Sequence, residues 1–253
     1  MRLLLAVLVF SVTAAAAAAS AQYAPGQSNP DGERARKHYL AGWDHMRAEE
    51  FDQAAEEFHS AIELNPKYAI AYFSLGRAYQ NLHRYSEAVQ ALSSSRDLYR
   101  AQASAKFNSQ MEADRYRQDR LMELQDMRTQ VAKGPQSDRT QNSIRQVDNA
   151  IRITTEEKSR GLNIGMEEPV PSFVSLSLGS ALFRAERYTE AELAYKAAIK
   201  ADDKGGEAHN NLAALYLMQA RYTDAMVEVK AAEKAGFRVN PELKDEIKGK
   251  MGQ

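Results

Sequence analysis

The chain has 253 residues, a formal charge of −1, 26 % charged residues and no cysteine. Balanced charge excludes a global electrostatic pull toward nucleic acid or an anionic membrane, and the missing thiols exclude disulfides, thiolate metal sites and cysteine catalysis. With 8 % aromatic residues, seven prolines and abundant alanine, the composition favours helices held together by packing alone.

The N-terminus carries a basic residue, Arg2, then the apolar core "LLLAVLVFSV", an alanine run and the small-residue exit "ASA" ending at Ala21. This order predicts a cleaved secretory signal over 1–21 and a mature chain starting at Gln22. The alternative is an uncleaved anchor, since Leu3 to Ala21 nearly reaches spanning length, but its alanine half is weakly hydrophobic. No cysteine follows the core, which excludes a lipoprotein-type anchor. Residues 22–34, with Pro25, Gly26, Pro30 and Gly32, read as a loose leader. The resulting expectation is an exported protein, periplasmic or extracellular, with no membrane span after processing.

Beyond the leader a pattern recurs. Gly42 and Gly76 stand 34 residues apart, and Gly179 follows one residue later than three further periods. Sixteen residues after each glycine lies a bulky residue in a ring–alanine series: Phe51, Ala54, Phe58, Ala61; Tyr85, Ala88, Leu92, Ser95; Tyr188, Ala191, Tyr195, Ala198. Tyr222, Ala225, Val229, Ala232 closes the set. Steps of three and four residues place each series on one helical face, where alanine admits a neighbouring helix and the ring fills the space beside it. Asp52, Ser86, Thr189 and Thr223 follow the first ring of each series and are expected to cap the second helix of each unit.

The segments "SLGRAYQNLHRYSEAVQAL", "SLGSALFRAERYTEAELAYKAAI", "LAGWDHMRAEEFDQAAEEFHSAIELNP" and "NNLAALYLMQARYTDAMVEVKAA" resemble the tetratricopeptide repeat family, with His45 at a usual tyrosine and Ala213 at a usual glycine. The resemblance implies an all-α, right-handed helical-repeat solenoid. Its units fall at 35–68, 69–102, 172–205 and 206–239, giving pairs over 35–102 and 172–239.

Residues 103–171 do not fit the repeat. From Ala88 to Lys133 there is neither glycine nor proline, so one continuous helix of about 46 residues is expected there, broken by "KGPQSD". Leu124, Met127 and Val131 on the outgoing arm, and Ile144, Val147 and Ile151 on the return arm, predict a projecting antiparallel helical hairpin. Two decayed repeats are the alternative, since the segment is nearly two units long. In 240–253, Asn240 and Pro241 predict an N-cap and first helical residue. Leu243, Ile247 and Met251 form one apolar stripe, as a terminal capping helix requires.

In the family the first helix of each unit lines the concave groove. By register the groove residues here are Tyr39, Trp43 and Met46; Ile70, Phe73 and Arg77; Phe173, Leu176 and Phe183; Asn210, Leu217 and Met218. Some members grip a terminal carboxylate with Lys, Asn and Arg in this groove, and those positions here hold Tyr39, Trp43, Ile70, Ser74, Phe173 and Ser177, so that clamp is absent. The mostly apolar strip suits an apolar peptide or one face of a partner helix, unless the insertion or the 161–171 linker covers it. His38 and His45 lack a third ligand, so no metal is expected, and no cofactor motif or catalytic constellation is present. The reading is a non-enzymatic interaction scaffold with a protein or peptide partner and no nucleic acid. The alternative is a self-associating homo-oligomer with the hairpin as its arm.

Overall fold

The computed structural model describes residues 30–103, 109–157 and 170–252. The expected signal segment, the leader up to residue 29 and most of the 161–171 linker lie outside the described residues. Among the described residues every regular element is an α-helix. In chain order these are α1 (Pro30–Arg47), α2 (Phe51–Leu64), α3 (Ala69–Asn81), α4 (Tyr85–Ala103), α5 (Gln110–Ala132), α6 (Asp138–Glu157), α7 (Ser172–Arg184), α8 (Tyr188–Ala201), α9 (Gly206–Met218), α10 (Tyr222–Lys234) and α11 (Pro241–Met251). α1 begins inside the expected leader because Pro30 suits the first helical turn and Asp31 and Glu33 follow it there.

The pairs α1–α2, α3–α4, α7–α8 and α9–α10 are the four repeat units, and α2 packs on α3, α4 on α7 and α8 on α9. The array therefore passes directly from the second unit to the third, leaving α5 and α6 outside the stack. The recurring glycines explain how closely each pair approaches. A Cβ on Gly42 would lie 2.6 Å from the Phe58 ring, one on Gly76 2.5 Å from Leu92 Cγ, and one on Gly179 2.6 Å from the Tyr195 ring. In the fourth unit Ala213 replaces the glycine and the smaller Val229 replaces the ring, and both are buried. The bulk that one helix gains, the other gives up.

The turn inside each unit differs from the sequence expectation. The second helices start at Phe51, Tyr85, Tyr188 and Tyr222, so Asp52, Ser86, Thr189 and Thr223 lie inside the first turn and not at the cap. The cap positions Glu50, Arg187 and Arg221 make no side-chain capping bond. Instead each first helix ends in a left-handed residue, Glu49, His83, Glu186 or Ala220. The next amide then donates back five residues, as Arg84 N does to Tyr79 O (2.9 Å) and Arg221 N to Tyr216 O (2.9 Å). This motif already satisfies the carbonyls at the helix end, and the arginine opening the second helix pairs with an acid three residues on: Arg84–Glu87, Arg187–Glu190 and Arg221–Asp224. Arg84 and Arg221 also lie over the rings of Tyr79 and Tyr216.

The long outgoing helix is not continuous. α4 ends at Ala103, and α5 starts anew behind Ser109, whose extended backbone and side chain cap the amide of Glu112. The α5–α6 hairpin does not project. α5 packs on α1 and α3, and α6 packs on α7. The expected seam is present: Leu124, Met127, Val131 and Val147 are buried, Ile144 and Ile151 pack against them, and Arg128 pairs with Asp148 across it. At the C-terminus Asn240 accepts from the Glu242 amide (3.0 Å), Ile247 of α11 is buried, and Met251 is exposed.

Candidate functional site

The concave wall is built by the first helices α1, α3, α7 and α9. The tertiary structure divides it in two. Over α1 and α3 the strip is covered by α5. Tyr39, Trp43, Ile70 and Phe73 are buried there, with Trp43 only 6 % exposed. The apolar strip is thus covered by the chain itself, the alternative the sequence left open. Arg36 holds Asp126 of α5 by two hydrogen bonds (2.5 and 2.8 Å), and Arg47 donates to Gln130 (2.7 Å). The Asp126 carboxylate raises the Arg36 guanidinium above its ordinary value.

Beneath α5 lies a polar cluster in an otherwise apolar setting. The Tyr39 hydroxyl, the Ser74 hydroxyl and the indole N–H of Trp43 are buried within reach of one another, and the Tyr99 hydroxyl is buried nearby. Burial raises the phenols of Tyr39, Tyr68 and Tyr99 far above their usual range, and the nearby Glu123 charge adds to this. Burial likewise pushes the Glu123 carboxyl up to about 8, against the pull of Arg120.

Toward the C-terminal half the wall stays open. A cleft of about 590 Å³ lies between α3, α7 and α9 on one side and the hairpin on the other. Its lining includes Phe73, Phe173 and Leu176, which are themselves buried, and the half-buried Phe183, with Phe73 and Phe173 edge to face at 4.9 Å. Its rim carries Arg77 and Arg184, the amides of Gln80, Asn81 and Asn211, the hydroxyls of Ser177 and Ser180, and a single acid, Glu207. Gln80 donates to the Ser177 carbonyl (3.0 Å), tying the second unit to the third, and Gln146 of the hairpin reaches Glu207 (3.5 Å). Arg77 also lies over the rings of Trp43 (5.7 Å) and Phe73 (6.0 Å), so one guanidinium links the covered and open halves.

The sequence-derived groove residues are therefore distributed unevenly. Phe73, Arg77, Phe173, Leu176 and Phe183 meet at the cleft, while Tyr39 and Trp43 lie in the covered half with Ile70. Met46 packs at the edge of the core. Asn210, Leu217 and Met218 do not line the cleft, where α9 presents Glu207, Asn211 and Ala214, and Met218 is 58 % exposed. Apart from Arg77, the polar rim was overlooked because its residues read as ordinary solvated positions. Its signal is helical spacing: Gln80 follows Arg77, and Ser180 and Arg184 follow Leu176, by steps of three or four residues. Each histidine is engaged locally, His38 with Glu57, His45 with Glu50, His59 with Tyr79, His83 with Tyr85 and His209 with Glu228. Among the described residues no group of three or more His, Asp or Glu side chains is placed to hold a metal ion. No helix among them is long and apolar enough to cross a membrane.

A family profile described as tetratricopeptide repeat matches residues 39–104 and 176–236, about half of the chain. Similar solved structures include PilW, a widely conserved type IV pilus biogenesis factor (TM-score 0.41, 15 % identity, 89 % of this chain and 88 % of that one). They also include TTC0263, a thermophilic repeat protein of Thermus thermophilus (0.35, 17 %, 87 % and 100 %). A third is a repeat domain of yeast Sti1 in complex with pHSP90 (0.29, 17 %, 88 % and 100 %). No curated protein matched the chain.

Proposed function

The chain belongs to the tetratricopeptide repeat family, and from that premise we propose that it is an exported interaction scaffold whose open cleft takes a peptide segment of a protein partner. The observation that carries this reading is the cleft between α3, α7, α9 and the hairpin, with aromatic residues in its lining and a rim of two arginines and several amides. The half-buried Phe183 offers a place for an apolar anchor, the amides pair with the backbone of an extended segment, and the arginines favour carboxylates on it. The only acid on the rim, Glu207, is engaged by Gln146, so the rim leans cationic although the whole chain is near neutral.

Selection of a displayed peptide library on the protein tests this. The expected winners combine an apolar anchor with acidic residues, and Arg184→Glu weakens them at least about tenfold, because a favourable pair becomes a like-charge contact. Enriched peptides indifferent to Arg184→Glu, or no enrichment at all, would refute the reading. Export rests on Arg2, the apolar core and the Ala19–Ala21 exit. N-terminal sequencing of the protein from its native host is expected to start at Gln22, and a start at Met1 overturns that part.

A further inference from the structure

The second helices α2, α4, α8 and α10 form the wall opposite the first helices, and one position on them changes character along the array. Five residues after the ring that opens each second helix, the first two units carry Glu56 and Gln90, both exposed. The last two carry Leu193 and Val227 there, 66 % and 59 % exposed. Single exposed apolar residues are ordinary, but these two occupy the same position of adjacent units and share their flanks. Three residues earlier stands an exposed acid, Glu190 or Asp224, and three residues later an exposed lysine, Lys196 or Lys230. The first two units lack this order, with Gln53 and His59, and Glu87 and Ser93, in the same places. At 3.6 residues per turn the acid lies on one flank of the apolar residue, toward the helix start, and the lysine on the other flank, toward its end. α8 and α10 are each joined to α9 by a short turn, so both run antiparallel to it and in the same direction as each other.

We propose that this strip is a dimer contact whose partner is a second copy of the chain, related by a two-fold axis that lays α8 of one copy antiparallel over α10 of the other. That operation reverses direction and exchanges flanks together. Leu193 then meets the partner's Val227, Glu190 the partner's Lys230 and Lys196 the partner's Asp224, and the symmetry makes each pair twice. A parallel arrangement would set acids level with acids and lysines level with lysines. Within one chain Glu190 and Asp224 pair with Arg187 and Arg221, and Lys196 with Glu192. These are exposed ion pairs, which hold their side chains only weakly, so turning toward the partner costs little. The apolar part of the strip is small, so the contact is weak and concentration-dependent. It lies on the wall opposite the cleft and does not rest on the reading of the cleft.

Sedimentation equilibrium of the protein purified from its native host, across a concentration series, tests this. The mass is expected to rise from that of one chain toward that of two. Leu193→Gln with Val227→Gln is expected to leave a single chain at every concentration with an unchanged helical circular dichroism spectrum, since both side chains are exposed. Two charge variants separate this register from general stickiness: Glu190→Lys with Asp224→Lys, and Lys196→Glu with Lys230→Glu. Each alone is expected to self-associate at least about tenfold more weakly than the wild type, and an equimolar mixture to form a mixed dimer, because every lysine then meets an acid. A wild type that stays a single chain leaves the strip to another partner or to solvent and overturns the proposal. So does a dimer that survives Leu193→Gln with Val227→Gln. Charge variants that dimerise alone as well as the wild type, or a mixture of them that stays monomeric, overturn it too.

Discussion

Gly179 is where the close packing of a repeat unit is most directly tested by one methyl group. Alanine there places Cβ 2.6 Å from both Cδ1 and Cε1 of Tyr195, near the middle of the ring edge, and 3.1 Å from Cγ. The ring is 2 % exposed but borders the cleft, so how far it can shift toward that space sets where in the range the cost falls. Overpacking of this kind costs about 1–3 kcal/mol. Against it stands the helix propensity gained when glycine becomes alanine in a helix interior, about 1 kcal/mol. The net expectation for Gly179→Ala is a loss of up to about 2 kcal/mol. The fourth unit, with Ala213 and Val229 in the same places, supplies the control. In a Tyr195→Val background, itself destabilised by the space the ring leaves, the same Gly179→Ala change is expected to be neutral or to stabilise by up to about 1 kcal/mol. Urea denaturation of the four proteins of this cycle, read as shifts in midpoint at constant slope, gives the coupling. If Gly179→Ala stabilised the wild type, or acted with the same sign and size in both backgrounds, the account of the recurring glycines would be wrong.

Trp43→Ala is expected to cost about 3–5 kcal/mol, since the indole is buried against Arg77, while Trp43→Phe keeps most of that packing and costs less than half as much; chemical denaturation separates the two, and equal costs refute the placement. The Glu123 carboxyl is raised to about 8, so the native state favours its protonated form: its contact is at full strength below the ordinary value of 4.5, weakens as pH rises toward 8 and changes no further above it. The groups facing it (Tyr39, Tyr68 and Tyr99 across the contact, with Asp119, Arg120 and Asp126 on α5) include three phenols that stay neutral over this window, their values being raised. Glu123→Gln is therefore expected to flatten a fall in stability between about pH 5 and pH 8 whose slope is at most about 1.4 kcal/mol per pH unit, measured by denaturation at several pH values; a wild type that gained stability relative to the Gln variant would contradict the sign. Ala220 sits at φ +57° between α9 and α10, and Ala220→Gly is expected to raise thermal stability by roughly 0.5–1 kcal/mol, left-handed strain relieved less the extra freedom of the unfolded chain; a lowered Tm argues against the left-handed turn.

Much of the fold could be read without coordinates because its information is local. The glycine at one helix and the bulky residue sixteen positions on are partners in the same unit, so the pattern of Gly42 with Phe58 recurs as Gly76 with Leu92 and Gly179 with Tyr195. The seam of Leu124, Met127 and Val131 with Val147, and the cap started by Asn240 and Pro241, are legible for the same reason: helical spacing and turn chemistry act over a few residues. The turn inside the units was misread because four residues, none of them glycine, take the left-handed position there.

The amino-acid sequence by itself thus determined the repeat units, their internal packing and the existence of a helical insertion, since each depends on side chains that meet within one unit or one hairpin. Only the tertiary structure decided where the insertion goes. The docking of α5 against α1 and α3 and the passage of the stack from α4 to α7 are made by contacts between distant residues, among them Arg36 with Asp126 and Gln80 with the Ser177 carbonyl. An arginine, an aspartate or a glutamine on a helix has no periodic signature that separates a solvated position from a contact with a distant part of the chain. Burial and pairing are properties of the assembled surface, so the groove became partly covered and partly open only once the helices were placed.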